Sequence, residues 1–340
     1  MNQKKKVRLS DIAQKLNVST VTVSKALSNK DGVGDELRKQ IKDLASQMGY
    51  KYKKASYDSD GIKTGNIGIL IPSKFFSMDS SYYWYLFNHL SVELLKYGYY
   101  SIIELVNDSD ENELTMPRMI LDQKVDGIII LGQIGKSYID AIRTHYDNFI
   151  LLDFYTDDTN LDSVSNDDYY CSYILTRFVI AQGLKNLRFV GNFDATTSIR
   201  DRFMGFQKAM LENNIEVRLA DIINDRNEKG QSIPLSIPAE KEKLPDAFIC
   251  NNDVTAANVM NLLESYGFKI PEDVSVTGFD NYLAKNIVST PLTTVYIKPE
   301  DIAKVASDLI IKKIKGEHYI KGRHLVGGSI IIRDSVKRCS

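Results

Sequence analysis

The chain has 340 residues, 43% apolar and 26% charged, enough to bury sizeable cores in two or three domains and too apolar for overall disorder. No apolar run approaches the ~18 residues of a membrane span, three scattered cysteines exclude a disulfide framework or metal cage, and the basic start lacks the apolar stretch of a secretory signal. The formal charge of −1 conceals an asymmetry: residues 1–54 carry 13 Lys/Arg against five acids, leaving 30 against 39 for the rest. A basic head on an acidic body suits a cytoplasmic DNA binder, because the head attracts phosphates while the body repels them. The alternative on charge alone is an enzyme with a basic tail.

In the head, the spacing predicts a helix over 11–16, with Ser10 as N-cap and Leu9, Ile12, Ala13 and Leu16 on one face. Asn17-Val18 breaks it, and Ser19 caps a second helix over 20–28 whose Val23, Ala26 and Leu27 face the first. A third, over 35–48, sets Leu37, Ile41, Leu44, Ala45 and Met48 on one stripe and stops at Gly49. Two short helices and a tight turn, closed by a third helix, make an all-α helix-turn-helix unit. Thr20, Val21, Thr22, Ser24 and Lys25 fall largely off the buried stripe of the second helix. Short hydroxyl and methyl side chains near a helix N-terminus suit base edges and thymine methyls, and hydroxyls and lysines suit phosphate. Lys6, Ser10 and Ser19 are further candidates for DNA contact.

The run Asp11 to Ser28, D-I-A-Q-K-L-N-V-S-T-V-T-V-S-K-A-L-S, followed by Gly49-Tyr50, resembles the DNA-binding head of the lactose/galactose-repressor family of bacterial transcription regulators. The resemblance implies that Thr20, Val21 and Lys25 occupy base- or phosphate-contacting positions, and it extends over essentially the whole chain. It divides the chain into a head (1–54), a hinge or linker (55–66) and a body (67–340). The body's first lobe is 67–165 with 297–324, and its second is 166–296 with 325–340. The family's hinge helix would fall at 54–60, where a leucine wedges into the minor groove. Here the positions read Ser56, Tyr57, Asp58, Ser59 and Asp60, which carry no such wedge and predict a solvated linker.

From residue 67, strand-like runs at 67–71, 100–105, 126–131, 149–153, 187–191, 246–250, 274–278 and 293–297 alternate with helical patterns. The helices fall at 83–97, 111–123, 168–182, 199–213, 253–266 and 299–315. Alternating β and α predicts parallel sheets covered on both faces. Two such lobes resemble the periplasmic-binding-protein-like α/β body of the same family. Gly132-Gln-Ile-Gly-Lys-Ser137 follows a strand, but Ile130 stands where a P-loop needs glycine. No other catalytic signature survives, and the expectation is no enzyme, no metal and no cofactor.

Open α/β sheets bind ligands at the C-terminal ends of their strands. Polar residues there are Ser73, Asp153, Arg202, Asn252, Asp253 and Asp280. The resemblance makes Arg202 of R-x-x-G, Asn252 and Asp280 effector-gripping positions. Carboxylates and an arginine fork suit the vicinal hydroxyls of a sugar, while Asp253 reads equally as an N-cap. Phe75, Phe76 and Tyr82 are candidate ring platforms, with some of Tyr85, Leu86 and Phe87 expected on the buried face of their helix.

The function expected is a homodimeric, alternatively tetrameric, repressor that binds a near-palindromic double-stranded operator under control of a small sugar-like effector. The alternative is a small-molecule sensor acting through protein contacts, with a degenerate head.

Overall fold

A computed structural model describes residues 9–27, 32–48, 64–76, 82–228, 230–282 and 288–339. The chain divides into a head unit, Met1–Gly61, and a body unit, Ile62–Ser340. Lys6, the linker positions Ser56 to Asp60, and the side chains of Ser10 and Ser24 lie outside the described residues.

The head holds α1 (Leu9–Lys15), α2 (Thr20–Leu27) and α3 (Asp35–Gln47). Asn17, at φ 51°, turns the chain between the first two, and the Ser19 hydroxyl accepts the Thr22 N–H at 3.0 Å to cap α2. Ile12, Ala13, Val23, Ala26, Val33, Ile41 and Ala45 form its buried core, matching the helical spacing read from sequence. One expectation fails: Ser10 lies inside α1, which starts a residue earlier at Leu9, so it is not the N-cap.

The body opens with β1 (Asn66–Pro72), α4 (Tyr82–Lys96), β2 (Tyr100–Val106), α5 (Asp108–Glu113), α6 (Arg118–Leu121), β3 (Gly127–Leu131), α7 (Lys136–His145), β4 (Phe149–Leu152) and β5 (Ser163–Asn166). The single helix expected at 111–123 is two, because Leu114 enters the left-handed region at φ 54° and Pro117 cannot continue a helix. The chain continues through α8 (Asp168–Ala181), β6 (Leu187–Val190), α9 (Thr197–Glu212), β7 (Ala247–Cys250), α10 (Asp253–Ser265) and β8 (Ser275–Thr277). It ends with β9 (Thr294–Tyr296), α11 (Pro299–Lys315), β10 (Arg323–Val326) and β11 (Ser329–Ile331).

The first lobe is a six-stranded sheet in the order β10-β5-β4-β3-β1-β2, parallel throughout. Its central strands β1, β3 and β4 are near-continuous apolar runs because helices cover both faces, giving two apolar cores around Ile129 and Leu152 on one side and Ile128 and Leu151 on the other. The second lobe is built on a parallel sheet, β6-β7-β8, and β9 pairs antiparallel with β11. Two α/β lobes with parallel sheets are the architecture that the alternation predicted. In the second lobe α8 and α9 approach closely at Gly205, where a Cβ would stand 2.1 Å from the Tyr169 carbonyl oxygen.

Candidate functional site

In the head, α2 keeps Val23 and Ala26 inward and leaves Thr20, Val21 and Lys25 exposed, Val21 at 61%. An exposed β-branched side chain on a short helix is poor filler, and here it stands beside a lysine and two hydroxyls. Thr22 is half-buried, its hydroxyl 2.8 Å from that of Ser19.

In the body, a cavity of about 240 Å³ is lined from both lobes. The first lobe supplies Lys74, Phe75, Tyr82, Tyr83 and Asp153; the second supplies Thr196, Ser198, Ile199, Arg202, Arg226, Asn251, Asn252 and Asp253; Asp280 and Tyr282 follow β8. Asp153 and Asp280 both adopt positive φ, 67° and 97°, turning the chain sharply beyond β4 and β8. Such backbone costs roughly 1–3 kcal/mol and survives only where the surroundings fix it.

Arg202 is the centre. Its Nε donates to Asp168 Oδ1 at 2.7 Å, Nη1 to the Asn251 carbonyl at 2.6 Å and Nη2 to Asp280 Oδ1 at 3.1 Å. Its guanidinium lies 3.9 Å from the ring centre of Phe279. The side chain is buried, so losing water must be offset by these partners. Burial alone would lower its pKa; the carboxylates of Asp168, Asp280 and Asp153 more than reverse this and raise it. Across the cavity, Tyr83 donates to Asp153 Oδ2 at 2.8 Å, and the Asn166 amide lies 3.5 Å from Oδ1. Burial pushes the Asp153 carboxyl up to about 6 and that of Asp168 up to about 7, Arg202 pulling both the other way.

A second polar knot sits behind β7. Asp225 takes Arg226 with both oxygens and also accepts from Asn251 and Thr255. Burial opposes the charge, yet Arg226 and the other donors hold the Asp225 carboxyl below its ordinary value. Asp253 accepts the Thr294 hydroxyl at 2.5 Å and the Tyr282 N–H at 2.7 Å. Gly278 makes room for it: a Cβ there would stand 2.2 Å from Asp253 Oδ1.

Two family models match the chain: bacterial regulatory proteins, lacI family, over residues 8–52, and the periplasmic binding protein-like domain over 176–336. The HTH-type transcriptional repressor PurR of Histophilus somni (strain 129Pt) is 26% identical over 337 residues, covering 97% of this chain and 98% of that protein. The chain belongs to the lactose/galactose-repressor family. It is therefore a DNA-binding transcription regulator controlled by a small-molecule effector. Two solved members of this fold are the transcriptional regulator CelR in complex with cellobiose and the lac repressor dimer bound to operator and the anti-inducer ONPF. They superpose with TM-scores of 0.69 and 0.68 at 17% and 19% identity, covering 97% and 98% of this chain and 99% of each structure.

Of the effector positions expected for a family member, Phe75, Tyr82, Asp153, Arg202, Asn252 and Asp280 line the one cavity, whereas Ser73 and Phe76 do not. Ser73 starts the 3₁₀ turn after β1, and Phe76 packs against Trp84 and the first lobe's core. Asn252, not Asp253, caps α10, its side chain accepting the Thr255 N–H at 2.7 Å. Of Tyr85, Leu86 and Phe87, Leu86 is buried, while Tyr85 is exposed and stacks on Tyr282 at 5.4 Å. Sequence reasoning missed Tyr83, Asp168, Arg226 and Tyr282. Tyr83 was available in the aromatic run at 82–87; the other three carry no local signal.

Proposed function

We propose that this chain is a cytoplasmic, homodimeric repressor whose operator affinity is set by a polyhydroxylated effector, a sugar, held in the cleft between the lobes. The head is residues 1–54, the linker 55–66 and the body 67–340, the body acting as a sensor and not as an enzyme. The observation that carries this reading is the cavity at the strand ends, where two arginines, three carboxylates and four aromatic side chains converge. Carboxylates accept from sugar hydroxyls, the remaining guanidinium N–H groups donate to them, and Phe75 and Tyr82 offer ring faces to the apolar side of a pyranose. Closure of the lobes on such a ligand shifts the population of DNA-competent dimers. Thr20 and Val21 read base edges, with Thr22, Ser24, Ser19, Ser10, Lys6 and Lys25 on phosphates or neighbouring bases.

The test is calorimetric titration of the full chain with a panel of sugars and nucleosides, followed by operator titration with each ligand that binds. A sugar that binds and changes operator affinity supports the reading. Binding confined to nucleosides removes the sugar, and absence of any shift on palindromic DNA returns the chain to a sensor working through protein contacts. On the operator, Lys25→Ala weakens binding to every sequence and lowers the salt slope by about one unit.

A further inference from the structure

The charges that face or support the cavity do not balance. Two guanidiniums line it, Arg202 and Arg226, and each is already neutralised: Arg202 by Asp168 and Asp280, Arg226 by both oxygens of Asp225. Asp153 and Asp253 line it as well, and neither is paired to a cation by a salt bridge among the described residues. Lys74 stands at the rim, exposed, its ammonium 5.3 Å from the ring centre of Phe75.

Helix N-termini would ordinarily favour an anion, and two of them, those of α9 and α10, point at this cavity. Their amides are largely occupied. Ile199 N–H goes to the Thr196 hydroxyl, Thr197 N–H to Gln133 Oε1, Thr255 N–H to Asn252 Oδ1 and Asp253 N–H to the Phe279 carbonyl.

We propose that the cleft selects its effector by charge: it takes the unphosphorylated ligand and rejects the phosphate ester of the same molecule. The inference rests on the cleft being the effector site. A phosphate brought to this floor meets Asp153, Asp253 and Asp280 at close range, and among the described residues the lining cation outside a salt bridge is Lys74, out at the exposed rim. It must either displace Asp280 from Arg202 or remain desolvated and unpaired, and both are unfavourable. Like-charge juxtaposition of this kind costs enough to separate the two ligands by roughly a hundredfold or more in affinity. The regulator then reports the free compound before any kinase-type reaction phosphorylates it, not the product of that reaction.

The decisive probe is inorganic phosphate, which needs no known effector. Trp84 is the chain's single tryptophan and lies in the body, so its fluorescence follows unfolding of the body apart from the basic head. Unfolding midpoints are measured in phosphate against chloride of equal ionic strength, for the wild type and for the double variant Asp153→Asn/Asp280→Asn. The wild type shows no saturable rise with phosphate, and the double variant gains one, because Arg202 has lost a neutralising partner. A saturable rise in the wild type, or none in the variant, overturns the proposal. If the double variant does not fold, Asp280→Asn alone replaces it, since it too takes a neutralising carboxylate from Arg202, and the same gain is required. In parallel, each sugar of the calorimetric panel is paired with its phosphate ester. A panel in which nothing binds, with the phosphate arm behaving as stated, rejects the sugar reading but not the charge selection. An ester that binds as tightly as its parent sugar rejects the charge selection.

Discussion

The two lobes share strand-helix alternation but bury different chemistry. In the first, β1, β3 and β4 are almost wholly apolar; Asp126 and Asp162 are buried just before strands, and Asp153, just beyond β4, faces the cavity. Asp126 precedes β3 and takes the Thr64 and Gly65 amides; Asp162 precedes β5 and takes Lys313, Tyr319 and the Gly322 amide. In the second, polar groups gather just after strands: Asn251 and Asp253 beyond β7, Asp280 beyond β8, Asp225 behind them. The same residue type therefore does two jobs. Before a strand, a carboxylate satisfies loop amides and is finished; after a strand, it faces the crevice where a ligand can use it. The first lobe is an apolar wall with aromatic fittings, and the second carries most of the charge that lines the cavity.

That contrast can be broken most sharply at Arg202. Arg202→Ala leaves Asp168 buried without its cation and is expected to destabilise the body by about 3–5 kcal/mol. Urea unfolding followed by Trp84 fluorescence measures it. A cost no larger than that of an ordinary surface change would mean that the charged knot contributes nothing to the fold.

A smaller effect, in pH, separates Asp153, Asp168 and Asp253 from Asp162. Asp153 is raised to about 6, and Asp168 and Asp253 to about 7, in each case first by burial. A carboxyl raised on folding contributes stability that is complete below its unfolded value near 4 and is lost as pH rises through 6 to 7. Asp162 runs the other way. Burial opposes its charge, but Lys313, the Gly322 amide and Tyr319 lower its pKa, so its contribution is present above about 4 and lost as pH falls further. Asp153→Asn is accordingly expected to raise the unfolding midpoint at pH 8 by on the order of 2–4 °C and to leave it unchanged at pH 4. Calorimetric scans at the two pH values check it, and a rise at pH 4 alone would reverse the assignment.

The smallest expected effects lie in the apolar wall and in the head. Ile129→Val removes one methylene from the centre of the first lobe and should cost about 0.5–1.5 kcal/mol while leaving ligand affinity alone. A large loss of affinity in titration would show that the wall is not passive. Ser19→Ala removes the cap of α2 and should cost the head about 1 kcal/mol, visible as weaker operator binding with an unchanged body midpoint.

Much of this was legible in advance, and the exceptions share a cause. The apolar strands β1, β3, β4 and β7 and the helices α8 to α11 announce themselves by periodicity, because burial on both faces or on one stripe writes a pattern into consecutive residues. The short strands β5, Ser-Val-Ser-Asn, and β10, Arg-His-Leu-Val, do not: each is polar, and their pairing joins Ser163 to Arg323. The break in the helix expected at 111–123 could have been read from Pro117, whereas the left-handed turn at Leu114 could not.

By itself the sequence determined the head with its exposed Thr20, Val21 and Lys25, the α/β alternation of the body, and the placing of Asp153, Asn252 and Asp280 near strand ends, whereas Arg202 lies inside α9. These depend on local spacing and on residue types whose chemistry is the same wherever they occur. Only the tertiary structure decided which of these residues share one cavity and which, like Ser73 and Phe76, do not. It also decided that Asp168, in the first turn of α8 and locally just a favourable charge on a helix N-terminus, is the partner of Arg202. That pairing exists because α8 and α9 cross closely at Gly205, bringing together groups 34 residues apart in sequence. Periodicity reports which face of an element is buried; it carries no record of what the face meets.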